Sequence, residues 1–276
     1  MAHQFAIGVD LHYRAHQPCT LLTHIEPAHT NTSVVKQSVT ALKTNYEGQH
    51  GFFRAAGLDN IGSRQWFTVA DDFQLAFEAR VVVTRENMSM DALKQDRLET
   101  LPGEVATYLF PSRYCPIEGP DQIAWHHFGP LEGGPLVEAM AQWIKKHIRY
   151  DNGVSTPSTT AVDTLAARAG VCRDFAHVLI AMARARSIPA RMVAAFAPGV
   201  DPQDFHALVQ VWLDGAWHLI DPTGMSRAED TIIIAVGRDA TDIAFMTAFG
   251  MVTMVEQSVR VMPVSAPAGC AHPQPA

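Results

Sequence analysis

No run of about 18 consecutive apolar residues occurs in this chain, so no membrane-spanning helix is expected. The first residues, Met1 to Asp10, lack a basic stretch followed by an apolar core, so no secretory signal is expected either. Cysteine is scarce: Cys19, Cys115, Cys172 and Cys270 form no C-x-x-C pair and no zinc-ligand spacing. A disulfide framework and a zinc module are thereby disfavoured, and a reducing, cytoplasmic location is the simplest expectation. Charged residues make up only 18%, with a formal net charge of −7, which argues against nucleic acid or an anionic membrane as partner. No acidic cluster has calcium-ligand spacing. The adjacent His126 and His127 point apart on most backbones, so no metal site is expected there.

What is present is a chain of 276 residues, 47% hydrophobic, long enough for two modest domains. Short β-type segments fill the first 84 residues: Phe5–Tyr13, Ser33–Ala41, Gln65–Val69 and Phe73–Thr84. They predict an all-β sandwich or open barrel over residues 1–100, without a nucleophile and base of its own. Its expected role is docking, cleft formation or contact between copies in a homo-oligomer. Residues 101–134, rich in proline, read as a connector, with Arg113 and Tyr114 its candidate cleft residues. A core is expected over 135–264, and a disordered tail over 265–276.

Within the core, apolar spacing predicts a helix over Leu136–Ile148. Thr160 and Asp163 form a capping-box pattern for a second helix that ends near Gly170, a suitable left-handed C-cap. A third helix starts at Cys172 and runs to Arg186 or Ser187, closed by Pro189. A helix start carries unpaired N–H groups and the positive end of the macrodipole, which stabilise a thiolate. Asp174 and His177 follow in its first turns, as helix packing or as support for the cysteine.

Thirty-four residues after Cys172 comes His206, in the β-type segment His206–Leu213; Asp214-Gly215 is a two-residue hairpin signal, and Ala216–Asp221 returns. With a two-residue loop Leu213 faces Ala216, so Asp221 lies opposite Leu208 and His206 opposite Thr223. His206 and Asp221 then share a face as diagonal neighbours, roughly 7–8 Å apart at the backbone. A one-residue slip would separate them. A helix-start cysteine with a histidine and an aspartate on one hairpin face is the layout of a Cys-His-Asp acyl-transfer site.

The segments Gly170–His177, Ile188–Arg191, Asp204–Ala207 and Asp221–Thr223 resemble the transglutaminase-like superfamily. The resemblance is strongest over residues 105–262 and is to bacterial members with an added N-terminal β domain. Tyr108–Tyr114 is similar to their interdomain segment, and Gly237–Asp242 to their glycine-arginine-aspartate stretch. The resemblance implies an α+β, papain/transglutaminase-like core, with the nucleophile helix packed on an antiparallel sheet and a β domain before it. It implies Cys172 as nucleophile, His206 as general base and acid, and Asp221 as orienter. Family members often carry Trp and Glu after the histidine; here Leu208 and Gln210 stand there, so the cleft lining differs.

The expected activity is acyl transfer on amides of a protein or peptide substrate through a thioester, as hydrolysis or transglutamination. This chemistry requires no cofactor. The alternative is a protein-binding module whose triad is idle.

Overall fold

The computed structural model describes residues 2–48 and 52–264; the expected tail lies outside the described residues. The strands are β1 (His3–Thr23), β2 (Ser33–Thr44), β3 (Phe53–Ala56), β4 (Ser63–Val83), β5 (Arg149–Tyr150), β6 (Ala169–Gly170), β7 (Ala190–Phe196), β8 (His206–Leu213), β9 (Ala216–Ile220), β10 (Ile232–Gly237), β11 (Met246–Ala248) and β12 (Val252–Pro263). The helices are α1 (Gly103–Ala106), α2 (Pro120–Phe128), α3 (Gly133–His147), α4 (Ala161–Ala167), α5 (Cys172–Ala185) and α6 (Ala240–Ile243).

β1 and β4 pair antiparallel along nearly all of their 21 residues. Alternate side chains turn inward: Phe5, Ile7, Val9 and Leu11 on β1, Phe73, Leu75, Phe77 and Val81 on β4. The register shifts between Ala15 and Cys19, level with the left-handed Asp71 (φ 52°). This local break separates the segments 65–69 and 73–84 in the sequence pattern, but they form one strand. β2 pairs with the later half of β4 and β3 with its first residues.

The other side of β1 is taken by β12 and β11, which come from the far end of the chain. Residues 246–263 therefore complete the N-terminal sheet and do not belong with the core to which the sequence pattern assigned everything up to residue 264. The physical reason is the open edge of β1. Its row of N–H and C=O groups needs a partner, and among the described residues no strand of the first 84 supplies one on that side. One continuous buried cluster runs from Phe5 and Phe77 through Leu136 and Met140 to Leu179 and Ile234.

The core sheet has the order β10-β7-β8-β9, antiparallel throughout. Helix α5 lies against β7 and β8, and its residues from Asp174 to Arg184 are buried. Each fully buried aliphatic side chain such as Leu179 or Ile180 contributes about 1.5–3 kcal/mol relative to exposure. The connector is more ordered than its prolines suggest, since α1 and α2 lie inside it. Pro120 occupies the first turn of α2, where a missing N–H costs nothing.

The capping box at α4 forms: Thr160 Oγ1 accepts from Asp163 N–H, and Asp163 Oδ2 accepts from Thr160 N–H at 2.9 Å. The left-handed C-cap of α4 is Arg168 (φ 51°), not Gly170. Gly170 is required for another reason. A Cβ there would sit 2.7 Å from the Asp174 Cβ, so only glycine lets the chain pass the first turn of α5.

Candidate active site

Cys172 is the first residue of α5 and is half-buried. The helix start is tied from two sides. Asp174, fully buried, accepts a hydrogen bond from Val171 N–H at 2.9 Å, capping the orphan donor ahead of the helix. Arg173 donates to Asp174 Oδ1, Ser155 Oγ and Thr156 O, which anchors the preceding loop. Asp174 therefore holds the cysteine's backbone in place.

The hairpin carries the other two residues. Val209 pairs with Ile220 and Leu213 with Ala216, the register that a two-residue turn predicts. Asp214 (φ 48°) and Gly215 (φ 73°) both adopt the left-handed region, as a type I′ turn requires. His206 Nε2 donates to Asp221 Oδ2 at 2.9 Å, and both side chains are buried. His206 Nδ1 is buried and has no hydrogen-bond partner within the protein. The Cys172 thiol is close enough to this imidazole for its charge to act on it.

The electrostatics follow from this packing. Burial alone would lower the His206 pKa, but the hydrogen bond to Asp221 and the Cys172 contact outweigh it and raise it to about 10. Burial alone would raise Asp221; hydrogen bonds from His206, Thr223 and Ser226 instead hold it at about 2. Thr223 N–H and Oγ1 donate to Asp221 Oδ1, and Ser226 N–H and Oγ donate to Oδ2. The arrangement can polarise the thiol proton toward an imidazole whose tautomer and orientation the carboxylate fixes.

The remaining sequence candidates lie elsewhere. The buried His177 ring stacks on Tyr114 at 5.1 Å, and its Nε2 accepts from Ala240 N–H; burial pushes its pKa down to about 3. Tyr114 donates its hydroxyl to Pro157 O, and its N–H to Asp239. Arg113 is exposed, with its guanidinium over the Tyr114 ring. These residues clasp the connector to α5 and to the Gly237–Asp239 turn. Gln210 is buried and accepts from Arg191 Nε at 2.9 Å across the core strands β7 and β8.

Ser226 and Tyr150 escaped the sequence reading. Ser226 follows Asp221 in a turn whose Asp-Pro-Thr-Gly composition signals side-chain-to-backbone bonding. Asp204 and Gln203, on the loop entering His206, are held by β12: Gln257 Nε2 donates to Asp204 Oδ1, and Gln203 pairs with both backbone groups of Val261. Tyr150, whose pKa burial and the nearby Cys172 raise, lies on β5, a two-residue strand with no periodicity to announce it.

Residues 132–222 match the model of the Transglutaminase-like superfamily. An uncharacterized protein of Mycobacterium leprae (strain TN) is 31% identical over 151 residues, 49% of this chain and 52% of that protein. An uncharacterized protein of Mycobacterium tuberculosis (strain ATCC 25618 / H37Rv) is 32% identical over 163 residues, 52% of this chain and 51% of that protein. The chain thus spans about half the length of the curated relatives it matches. A solved structure from Cytophaga hutchinsonii, named "a Putative Cysteine Protease", superposes with a TM-score of 0.86 at 27% identity, covering 98% of this chain and 93% of that one. That likeness extends over the N-terminal sheet as well as the core.

Proposed function

We propose that this chain, which belongs to the transglutaminase-like superfamily, is a cysteine-dependent acyl-transfer enzyme acting on amide bonds of a protein or peptide. The observation that carries the reading is the state of His206. One ring nitrogen is anchored by Asp221, while the other is buried, unpartnered and beside the Cys172 thiol at a helix start.

In the proposed reaction His206 holds the proton as an imidazolium, its pKa being raised to about 10, and the Cys172 sulfur lone pair forms a C–S bond to the amide carbon. The carbonyl π electrons move to oxygen, and the Cys172 N–H, directed outward from the helix start, donates to that oxygen. Collapse breaks the C–N bond, and the imidazolium gives its proton to the departing amine. A thioester remains. Water attacks it with His206 as base and releases a carboxylic acid, or a primary amine attacks it and forms a new amide. Hydrolysis is the favoured outcome, because water is always at hand and no tunnel dedicated to an amine is evident among the described residues.

The test is a peptide library incubated with wild type and with Cys172→Ala, each with and without a primary amine. New termini formed only by wild type support hydrolysis, and amine incorporation supports transglutamination. Neither product, together with failure of a thiol-directed acyl probe to label Cys172, overturns the enzymatic reading in favour of a binding module.

A further inference from the structure

His206 is the first residue of β8 and lies opposite Ala195 of β7. The pairing of β8 with β9 begins only at Val209, so residues 206–208 are paired on one side alone. A strand end held on one side opens more readily than the middle of a sheet. The three residues that lead into His206 are each held by chain that closes the N-terminal sheet. The Gln203 carboxamide bridges both backbone groups of Val261 on β12: its Nε2 donates to Val261 O and its Oε1 accepts from Val261 N–H, each at 2.9 Å. It does there what a neighbouring strand would do, satisfying an edge pair that faces away from β1. Asp204 Oδ1 accepts from Gln257 Nε2 of β12 at 2.9 Å and from Phe205 N–H at 2.7 Å. Gln257 is itself fixed, because its Oε1 accepts from the Tyr13 hydroxyl of β1 at 3.1 Å. The Phe205 ring stacks on Phe245, the residue before β11, with centroids 4.6 Å and planes 8° apart, and packs on Phe196 of β7 at 5.5 Å.

We propose that Gln203 and Gln257 are positioning residues for acyl transfer: through the loop they anchor, the N-terminal sheet sets the approach of the His206 imidazole to Cys172. The proposal rests on the acyl-transfer reading above. Both amides act through the chain and not on the reacting atoms. The imidazole is tied to Asp221 at 2.9 Å, so a shift of the His206 backbone cannot be absorbed by turning the ring without losing that bond. A misplacement of about 1 Å at a reacting group costs about 10²-fold in rate. The N-terminal sheet is then part of the catalytic apparatus while supplying no group to the chemistry.

The experiment uses full-length wild type, Gln257→Glu, Gln257→Glu combined with Asp204→Asn, and Gln203→Leu, with Cys172→Ala as background. Two quantities are read on protein shown to be folded by circular dichroism. One is the rate at which p-nitrophenyl acetate acylates Cys172 and releases p-nitrophenolate. The other is the NMR resonance of the imidazole N–H that His206 donates to Asp221. Gln257→Glu sets a second carboxylate against Asp204 and is expected to slow acylation about 10²-fold and to shift that resonance. Adding Asp204→Asn restores the hydrogen bond with donor and acceptor exchanged, and is expected to recover most of both. Gln203→Leu, which leaves Asp204 and Gln257 in place, is expected to slow acylation about tenfold and decides the question if Gln257→Glu does not fold. Wild-type rate and resonance in the folded variants overturn the proposal, as does a loss in Gln257→Glu that Asp204→Asn leaves unrelieved. A resonance shifted by Gln257→Glu and restored by Asp204→Asn, where wild type never acylates above the Cys172→Ala background, supports the positioning and overturns the acyl-transfer reading alone.

Discussion

Asp59, from the β-rich first part of the chain, accepts a hydrogen bond from Arg191 of the core strand β7, 132 positions away. Tyr108 donates its hydroxyl to the same carboxylate at 2.7 Å, and the Arg191 guanidinium stacks 4.0 Å over the Trp217 ring. The Arg191 side chain is only 3% exposed. A buried cation satisfied from another unit makes the two units interdependent, because removing the partner leaves a charge in a poorly solvated place.

A chain beginning at residue 101 is accordingly expected not to fold. It would lose Asp59 and also β1, the strand on which β12 and β11 pair. The loop entering His206 hangs on β12 through Gln203 and Asp204, so its loss reaches the site. In the full-length chain, Asp59→Ala is expected to cost about 1–3 kcal/mol through the unpaired group. Circular dichroism melts check both. A truncated chain that is soluble and melts cooperatively would show that the core folds alone.

Asp221→Asn is expected to lower turnover by about 10²–10⁴-fold, because the amide cannot hold the imidazole in the same tautomer. It is also expected to lower the melting temperature. Four donors from Thr223 and Ser226 converge on this carboxylate, and an NH₂ group in place of Oδ2 would face the Ser226 N–H. Steady-state kinetics and a thermal melt on one preparation separate the two effects. Wild-type turnover in a folded Asp221→Asn would remove Asp221 from the mechanism.

Stability should respond to pH at both ends. Asp221 is held at about 2 in the folded chain, below its unfolded value, so its contribution is present above about pH 4. That contribution, on the order of 2 kcal/mol, is lost as pH falls toward 2. His206 is raised to about 10, so its contribution is full below its unfolded value near 6.5 and drains away as pH rises toward 10. Denaturant midpoints measured from pH 6 to 10 should fall in wild type and fall less in His206→Ala. Parallel curves would refute the assignment. Acyl transfer should decline on the same alkaline limb, where the imidazole no longer has a proton for the leaving amine.

Gly170→Ala is expected to destabilise the chain by about 1–3 kcal/mol and to slow acylation of Cys172. Its Cβ would press on Asp174, which caps the helix start, and it would strain the β5–β6 bridge that carries Tyr150. Gly215→Ala, strained at φ 73° in the hairpin turn and far from α5, serves as comparison. It should lose stability without a matching loss of thiol acylation once both proteins are measured well below their melting points. Equal acylation by Gly170→Ala and wild type would argue that the glycine serves packing alone.

The sequence by itself determined the parts of this molecule that local rules govern. An Asp-Gly turn with two left-handed residues admits one register, and a side-chain period of two then brings His206 and Asp221 to one face. The glycine before Cys172 and the apolar run after it marked a helix start, because capping and periodicity act within a few residues. Only the tertiary structure decided what depends on distant partners. Which strand covers the open edge of β1, that Asp59 meets Arg191, and that Tyr150 pairs with Gly170 all rest on long-range pairing and burial. The energy of such contacts is realised only when segments far apart in the chain are brought together, and no local periodicity records it.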